Sequence, residues 1–142
     1  MAEPEIQAVR RIYDALSKWN IDELAKDVAH DFELILPVTV PWGGTRHGRD
    51  GVEAFATIFR DHVEGQWADP DDFIEAGELI VVLGRLRGRA RATGDEFEEH
   101  FAHVWTLSDG MPSRCRSYFD AAPIMAALGS PGFDTEEGSS DG

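Results

Sequence analysis

Cysteine is almost missing from this chain: Cys115 is the only one in 142 residues. That excludes an intrachain disulfide and any cysteine-based metal cluster. Lysine is nearly as scarce, with Lys18 and Lys26 set against eleven arginines. Positive charge as a whole is in deficit, and 27 acidic residues against 13 basic ones leave a formal net charge of −14. Such a surface repels nucleic acid and anionic membranes, so no nucleic acid and no membrane is expected as a partner. No apolar run approaches the length of a membrane span. The N-terminal residues lack the basic, apolar and small-residue succession of a secretory signal. Together these absences point to a soluble, cytoplasmic protein. The acid-rich, lysine-poor balance suits a halophilic source, where salt screens self-repulsion. His30, His47 and His62 show no metal-ligand spacing with one another, so no metal is expected.

What is present is one domain's worth of patterned sequence, long enough to bury a core without staples. Ile6, Val9, Ile12, Tyr13 and Leu16 recur at helical spacing. Asn20 with Glu23 opens a second helix through about Ala29, and Asp50 with Glu53 opens a third that stops at Gly65. Between them Phe32 to Val40 alternates as a strand, with Pro37 at an edge, and Pro41-Trp42-Gly43-Gly44 reads as a loop. Asp69-Pro70-Asp71-Asp72 reads as a charged turn, followed by a strand near Phe73–Ala76 and a long one from Leu79 to about Ala92. Two further strands flank Asp109-Gly110, a strong hairpin signal. A short helix, Pro123–Leu128, closes the domain at Gly129. Residues 130–142 are Gly, Ser and acid, expected as a flexible acidic tail.

Three helices interleaved with one strand, then a long meander, predict an α+β fold over residues 1–129. In it a curved antiparallel sheet forms a cone with three helices on its concave side. If side chains do not fill the cone, it encloses a pocket.

The segments Val9–Asp27, Gly44–Phe59 (G-T-x-x-G-R-D-G-V-x-A-F), Val82–Gly94 (V-L-G-R-x-R-G-x-A-x-A-T-G) and Phe101–Ala122 (F-x-H-V-W-T-x-x-D-G…Y-x-D-x-A) make the chain resemble one family. It is similar to the SnoaL-like group of the nuclear transport factor 2-like (NTF2-like), cystatin-like superfamily. That group includes ketosteroid isomerases, polyketide cyclases and limonene-epoxide hydrolases. The resemblance implies a cofactor-free isomerase, cyclase or hydrolase acting on a small hydrophobic carbonyl compound. It also shows departures. Where a ketosteroid-isomerase-like site places its base and oxyanion pair, this chain has Leu36, Ile12 and Ala102, with Tyr13 one residue from the phenol position. The epoxide-hydrolase and cyclase acids fall on Arg85-Leu86-Arg87 and Ser117.

Strand alternation decides which side chains face the pocket. With Gly94-Asp95 and Asp109-Gly110 as two-residue tips, Arg87 pairs with Ala102 and Ala102 with Ser117. Arg85, Arg87, Ala102, Val104, Cys115, Ser117 and Phe119 then share one face, with Arg89 and His100 further along. The family match sends that face inward. Phe101, His103, Trp105 and Tyr118 take the other face, which is expected to be a homodimer surface, with aromatics covering Gly84 and Gly88. A bulge or a three-residue turn would instead move the last strand by one and set His103 beside Cys115 or Ser117.

On the adopted register Arg85 or Arg87 would stabilise an enolate-like oxygen, or be half-solvated ion-pair partners. His100 would carry the proton or pair with Arg89. His103 would take that role if the strand shifts, or be a satisfied core histidine. Leu36, Ala102, Val104, Ser117 and Phe119 would line the ligand site, and Trp42 would form a lid. Asp120 would tie the sheet to the last helix. The alternative function is a non-catalytic ligand-binding or dimerisation domain that has lost the acids of its relatives.

Overall fold

The computed structural model describes residues 3–129. Helices α1 (Glu3–Ser17) and α2 (Ile21–Ala25) are followed by strands β1 (Glu33–Leu36) and β2 (Gly44–His47) and by helix α3 (Gly48–His62). The long strands β3 (Val63–Ala76), β4 (Leu79–Ala90), β5 (Glu96–Ser108) and β6 (Met111–Tyr118) come next, and α4 (Ala122–Ala127) ends the fold. The strands make one six-stranded sheet in the order β2-β1-β6-β5-β4-β3. All neighbours are antiparallel except β1 and β6.

The helical faces follow from apolar spacing. Val9, Ile12, Tyr13 and Leu16 of α1, and Val52, Phe55, Ala56 and Phe59 of α3, are buried. Their 3–4-residue spacing puts each set on one stripe. The chain leaves α1 through Trp19, in the left-handed region at φ 54°. Asn20 then caps α2, its side-chain oxygen accepting from Glu23 N at 3.2 Å.

Several boundaries differ from expectation. The strand expected from Phe32 to Val40 stops at Leu36, before Pro37. Residues 44–47 form a strand that pairs back on β1, although they were expected to lead from a loop into a helix. The acidic stretch Asp69-Pro70-Asp71-Asp72 is not a turn but lies inside β3. This is an edge strand with bulges between Glu64 and Trp67 and between Pro70 and Asp72. A proline is tolerated there because an edge residue need not donate to a ladder. The 130–142 tail lies outside the described residues.

The decisive difference is one residue in the last hairpin. Asp109 and Gly110 form a two-residue tip, both with positive φ (54° and 79°), and Ser108 pairs with Met111. The pairing then slips between Thr106 and Leu107: Leu107 pairs with Pro112, but Thr106 pairs with Arg114. Ser113 is the extra residue, its hydroxyl donating to Thr106 O at 3.2 Å. From there on Trp105 opposes Cys115 and His103 opposes Ser117. A one-residue slip exchanges the faces of one strand against the other.

The expected grouping is therefore corrected. Arg85, Arg87, Arg89, His100, Ala102 and Val104 do share a face, but it is the outer one. Phe101, His103 and Trp105 turn inward with Cys115 and Ser117. Arg87 pairs with Glu98 rather than Ala102, because Arg91–Gly94 form a longer turn than a two-residue tip. The aromatic cover over strand glycines exists inside the core: Gly84 lies opposite Phe101 and Gly88 opposite Phe97.

Candidate functional site

Three aromatic side chains build the polar centre of the cone. On β5, His103 and Trp105 are two residues apart and so share the inner face. Tyr13 reaches them from α1. Its hydroxyl lies 2.6 Å from His103 Nδ1 and accepts from Trp105 Nε1 at 3.0 Å. An indole can only donate, so the phenol oxygen is the acceptor there and its hydrogen is left for Nδ1. A neutral imidazole accepting at Nδ1 carries its own proton on Nε2. That tautomer is assigned from donor and acceptor counting. Phe101 stacks on the His103 ring at a centroid distance of 3.9 Å and holds its plane.

Burial sets the protonation states. His103 is 5% exposed, and desolvation lowers its pKa from 6.5 to about 3, so the ring is neutral at physiological pH. Burial raises the Tyr13 phenol well above 10, with the Cys115 thiol adding to the shift and the Trp105 hydrogen bond opposing it. Burial also raises the Cys115 thiol. The site is therefore a set of neutral dipoles with no ionised group.

These residues line an internal cavity of about 50 Å³. Ile12, Leu36, Phe55 and Trp67 supply apolar wall, and no Asp, Glu, Lys or Arg lines it. Ser117 also lines it, 5% exposed, and its Oγ has no hydrogen-bond partner. Trp67 enters the wall by an unusual route. It sits at the β3 bulge with φ 72°, a conformation costly for a bulky residue. The packing of Trp42, Phe97 and Phe119 around its ring holds it there.

Of the residues expected to carry chemistry, the structure brings His103, Ser117 and Leu36 to the cavity. It removes Arg85, Arg87 and His100 to the outer face. Arg85 pairs there with Asp71 at 3.6 Å and Glu98 at 3.4 Å, and Arg87 with Asp69 at 3.5 Å. These guanidinium groups are half-exposed in an ion-pair ladder along the sheet and cannot touch a ligand in the cone. Ala102 and Val104 are outside for the same reason of register. Phe119, just past β6, packs edge-on against Trp67 at 5.5 Å and does not line the cavity. Trp42 is not a lid: it is 0% exposed and wedged against Phe59 at 5.0 Å and Trp67 at 5.4 Å. Asp120 accepts from Ala122 N at 3.0 Å and starts α4. Tyr13 and Trp105 were not expected as polar site residues. The available signal was Tyr13, one position from where the family keeps a phenol. Among the described residues no cluster of three His, Cys, Asp or Glu could hold a metal ion, and no helix is long and apolar enough to cross a membrane.

A curved, unclosed sheet wrapped around an aromatic-lined cavity, with helices across its open side, defines an NTF2-like cone. Known structures agree. An NTF2-like protein of unknown function from Burkholderia pseudomallei is 33% identical, with a TM-score of 0.80 over 87% of this chain and 96% of that one. TerC, solved with polyporic acid, is 26% identical, with a TM-score of 0.81 over 90% of this chain and all of that one. An NTF2-like protein from Burkholderia xenovorans is 26% identical, with a TM-score of 0.77 over 87% of this chain and 95% of that one. No curated protein sequence gives a significant match. The SnoaL-like domain model matches residues 9–114. The chain belongs to the SnoaL-like domain family.

Proposed function

We propose that the cone binds a small, uncharged, largely apolar molecule carrying one oxygen acceptor, such as a ketone. The observation that carries this reading is the unpartnered, buried Ser117 hydroxyl on the strand position opposite His103. A buried hydroxyl without a partner costs about 1–3 kcal/mol, so an occupant that bonds to it recovers that energy. The imidazole N–H supplies a second neutral donor beside it. A carboxylate would be disfavoured, because the lining offers it no cation. TerC, solved with polyporic acid, supports a small molecule as occupant in this family. A cavity of about 50 Å³ is well below the roughly 300–1,000 Å³ of a typical ligand site, so entry requires the helical wall to give.

A bound carbonyl would be polarised by neutral donors, as in an isomerase or cyclase. The 2.6 Å contact between the Tyr13 hydroxyl and the imidazole favours this second reading, because it links the ring to a proton store. Binding is the stronger reading, since burial opposes forming the tyrosinate–imidazolium pair that proton relay would need.

Calorimetric titration and thermal melts with acetophenone, benzoate and polyporic acid test the proposal. Acetophenone is expected to bind saturably and benzoate not at all. Ser117→Ala is expected to weaken acetophenone by roughly tenfold, the worth of one buried hydrogen bond. The same substitution is expected to raise the stability of the free protein by removing the orphan hydroxyl. Failure of acetophenone to bind, or benzoate binding as well as acetophenone, would refute it.

A further inference from the structure

Strand β3 breaks its own alternation beside the cavity. In a regular strand, neighbouring side chains point to opposite faces. Trp67 and Ala68 are adjacent, yet they are 2% and 1% exposed. Their partners on β4 keep the pleat. Ala68 lies opposite Leu86, which is in the core, and Trp67 lies opposite Arg87, which reaches Asp69 on the outer face. Pairing alone would therefore send the indole out beside Arg87. Two features turn it in. The bulge takes three steps from Glu64 to Trp67 against two from Arg89 to Arg87, and Trp67 itself adopts φ 72°. That conformation is costly for a bulky side chain, and strain of this kind persists where the side chain serves a site.

Its position shows what it serves. Ser117 lies opposite His103, and Phe119 is the next residue of the same parity beyond it. The Trp67 ring abuts Phe119 at 5.5 Å and Phe97 at 6.4 Å, toward the Arg91–Gly94 end of the sheet. Trp105 and Cys115 lie on the other side of Ser117, toward the Asp109-Gly110 tip. The indole therefore closes the cavity at the end away from that tip. A molecule held by its oxygen at Ser117 has Trp105 on one side and Trp67 on the other.

We propose that Trp67 is the specificity residue of the cone. Its inward-turned indole limits the occupant to a single ring and rejects the same ketone lengthened by a second ring. The ligand part rests on the reading of the cone given above; the inward turn of Trp67 does not.

Trp67→Phe, Trp67→Ala and Trp67→Gly test it, with acetophenone, 4-acetylbiphenyl and biphenyl as probes in thermal melts and equilibrium dialysis. Biphenyl has the added ring but no carbonyl, so it reports the space without Ser117. The wild type is expected to bind both two-ring compounds only weakly. Trp67→Ala and Trp67→Gly should bind them roughly 100-fold more tightly, the worth of burying one further ring, with Trp67→Phe in between. Trp67→Gly should also melt about 3 °C above Trp67→Ala, because glycine takes a positive φ without strain; at a regular strand position the order is the reverse. Trp67→Phe keeps a ring in the aromatic cluster, so it alone decides the ligand comparison if the smaller variants do not fold. Two-ring compounds that bind the wild type as tightly as the variants, folded variants that still reject biphenyl, or Trp67→Ala melting above Trp67→Gly would each overturn the proposal. Variants that take biphenyl while no protein takes either ketone would sink the carbonyl reading and leave the size limit standing.

Discussion

The neutral, buried imidazole makes a quantitative prediction about acid stability. His103 titrates near its ordinary 6.5 when the chain is unfolded and at about 3 in the folded protein. Between these values the unfolded chain binds a proton that the native state refuses. Stability therefore rises with pH through this window: the contribution is fully present above 6.5 and lost as pH falls toward 3. From pH 7.5 to pH 5 the loss from this residue alone is about 2 kcal/mol, at 1.36 kcal/mol per pKa unit. Below pH 3 it reaches about 5 kcal/mol, a large part of a typical domain's stability. Exposed carboxylates also respond to acid, so the comparison needs a control that keeps them. His103→Gln serves, because its amide oxygen can still accept from Tyr13 while the titrating group is gone. Urea unfolding followed by circular dichroism at pH 5.0, 6.0 and 7.5 measures both proteins. The wild type should lose about 2 kcal/mol more than the variant over that range. Parallel pH profiles would refute the reasoning, because they would mean that the imidazole is solvated or charged in the native state.

Two further outcomes follow from the core. A Cβ on Gly84 would collide with the Asp69 carbonyl oxygen and stand 2.9 Å from Phe101, so Gly84→Ala should lower stability by about 1–3 kcal/mol in thermal melts; an unchanged midpoint would mean that β3 and β4 are not paired there. Cys115 is 2% exposed and its thiol is shifted upward by burial, so it should ignore Ellman's reagent in the native protein and react fully in urea; rapid native reaction would contradict the inward face of β6.

The parts of the fold with strong local signals were readable early. Apolar spacing in α1 and α3 reflects a single buried stripe. Asp109-Gly110 has the backbone freedom that a two-residue hairpin tip demands, and the structure uses it in that way. Acidic residues around Pro70 misled, because a charged proline segment resembles a turn yet also suits an exposed edge strand. Residues 44–47 gave no strand signal because a four-residue edge strand, half outside, has little alternation to show. In the site, Ser117 and Leu36 do line the cavity; both had been expected there through the family resemblance. The arginines and His103 were misplaced, since their placement depends on how one strand sits against its neighbour.

A sign of that slip was present in Pro112. Proline donates no ladder hydrogen bond, and within a sheet it belongs at an edge or a bulge. Here it stands beside the bulge at Ser113, and its carbonyl accepts from Ala29 N at 2.8 Å, tying the distorted ribbon to the loop before β1. Alone, the proline announces an irregularity but not its parity.

The sequence by itself determined the α+β class, the Asp109-Gly110 hairpin tip and the alternating composition of each strand, because these depend on contacts a few residues apart. Only the tertiary structure decided that imidazole and indole look into the cone while the guanidinium groups look out. That choice rests on one extra residue in a ribbon between two long strands. Its energy comes from burying the inner face of β5 in the core, where His103 and Trp105 meet Tyr13 of α1, some ninety residues away along the chain.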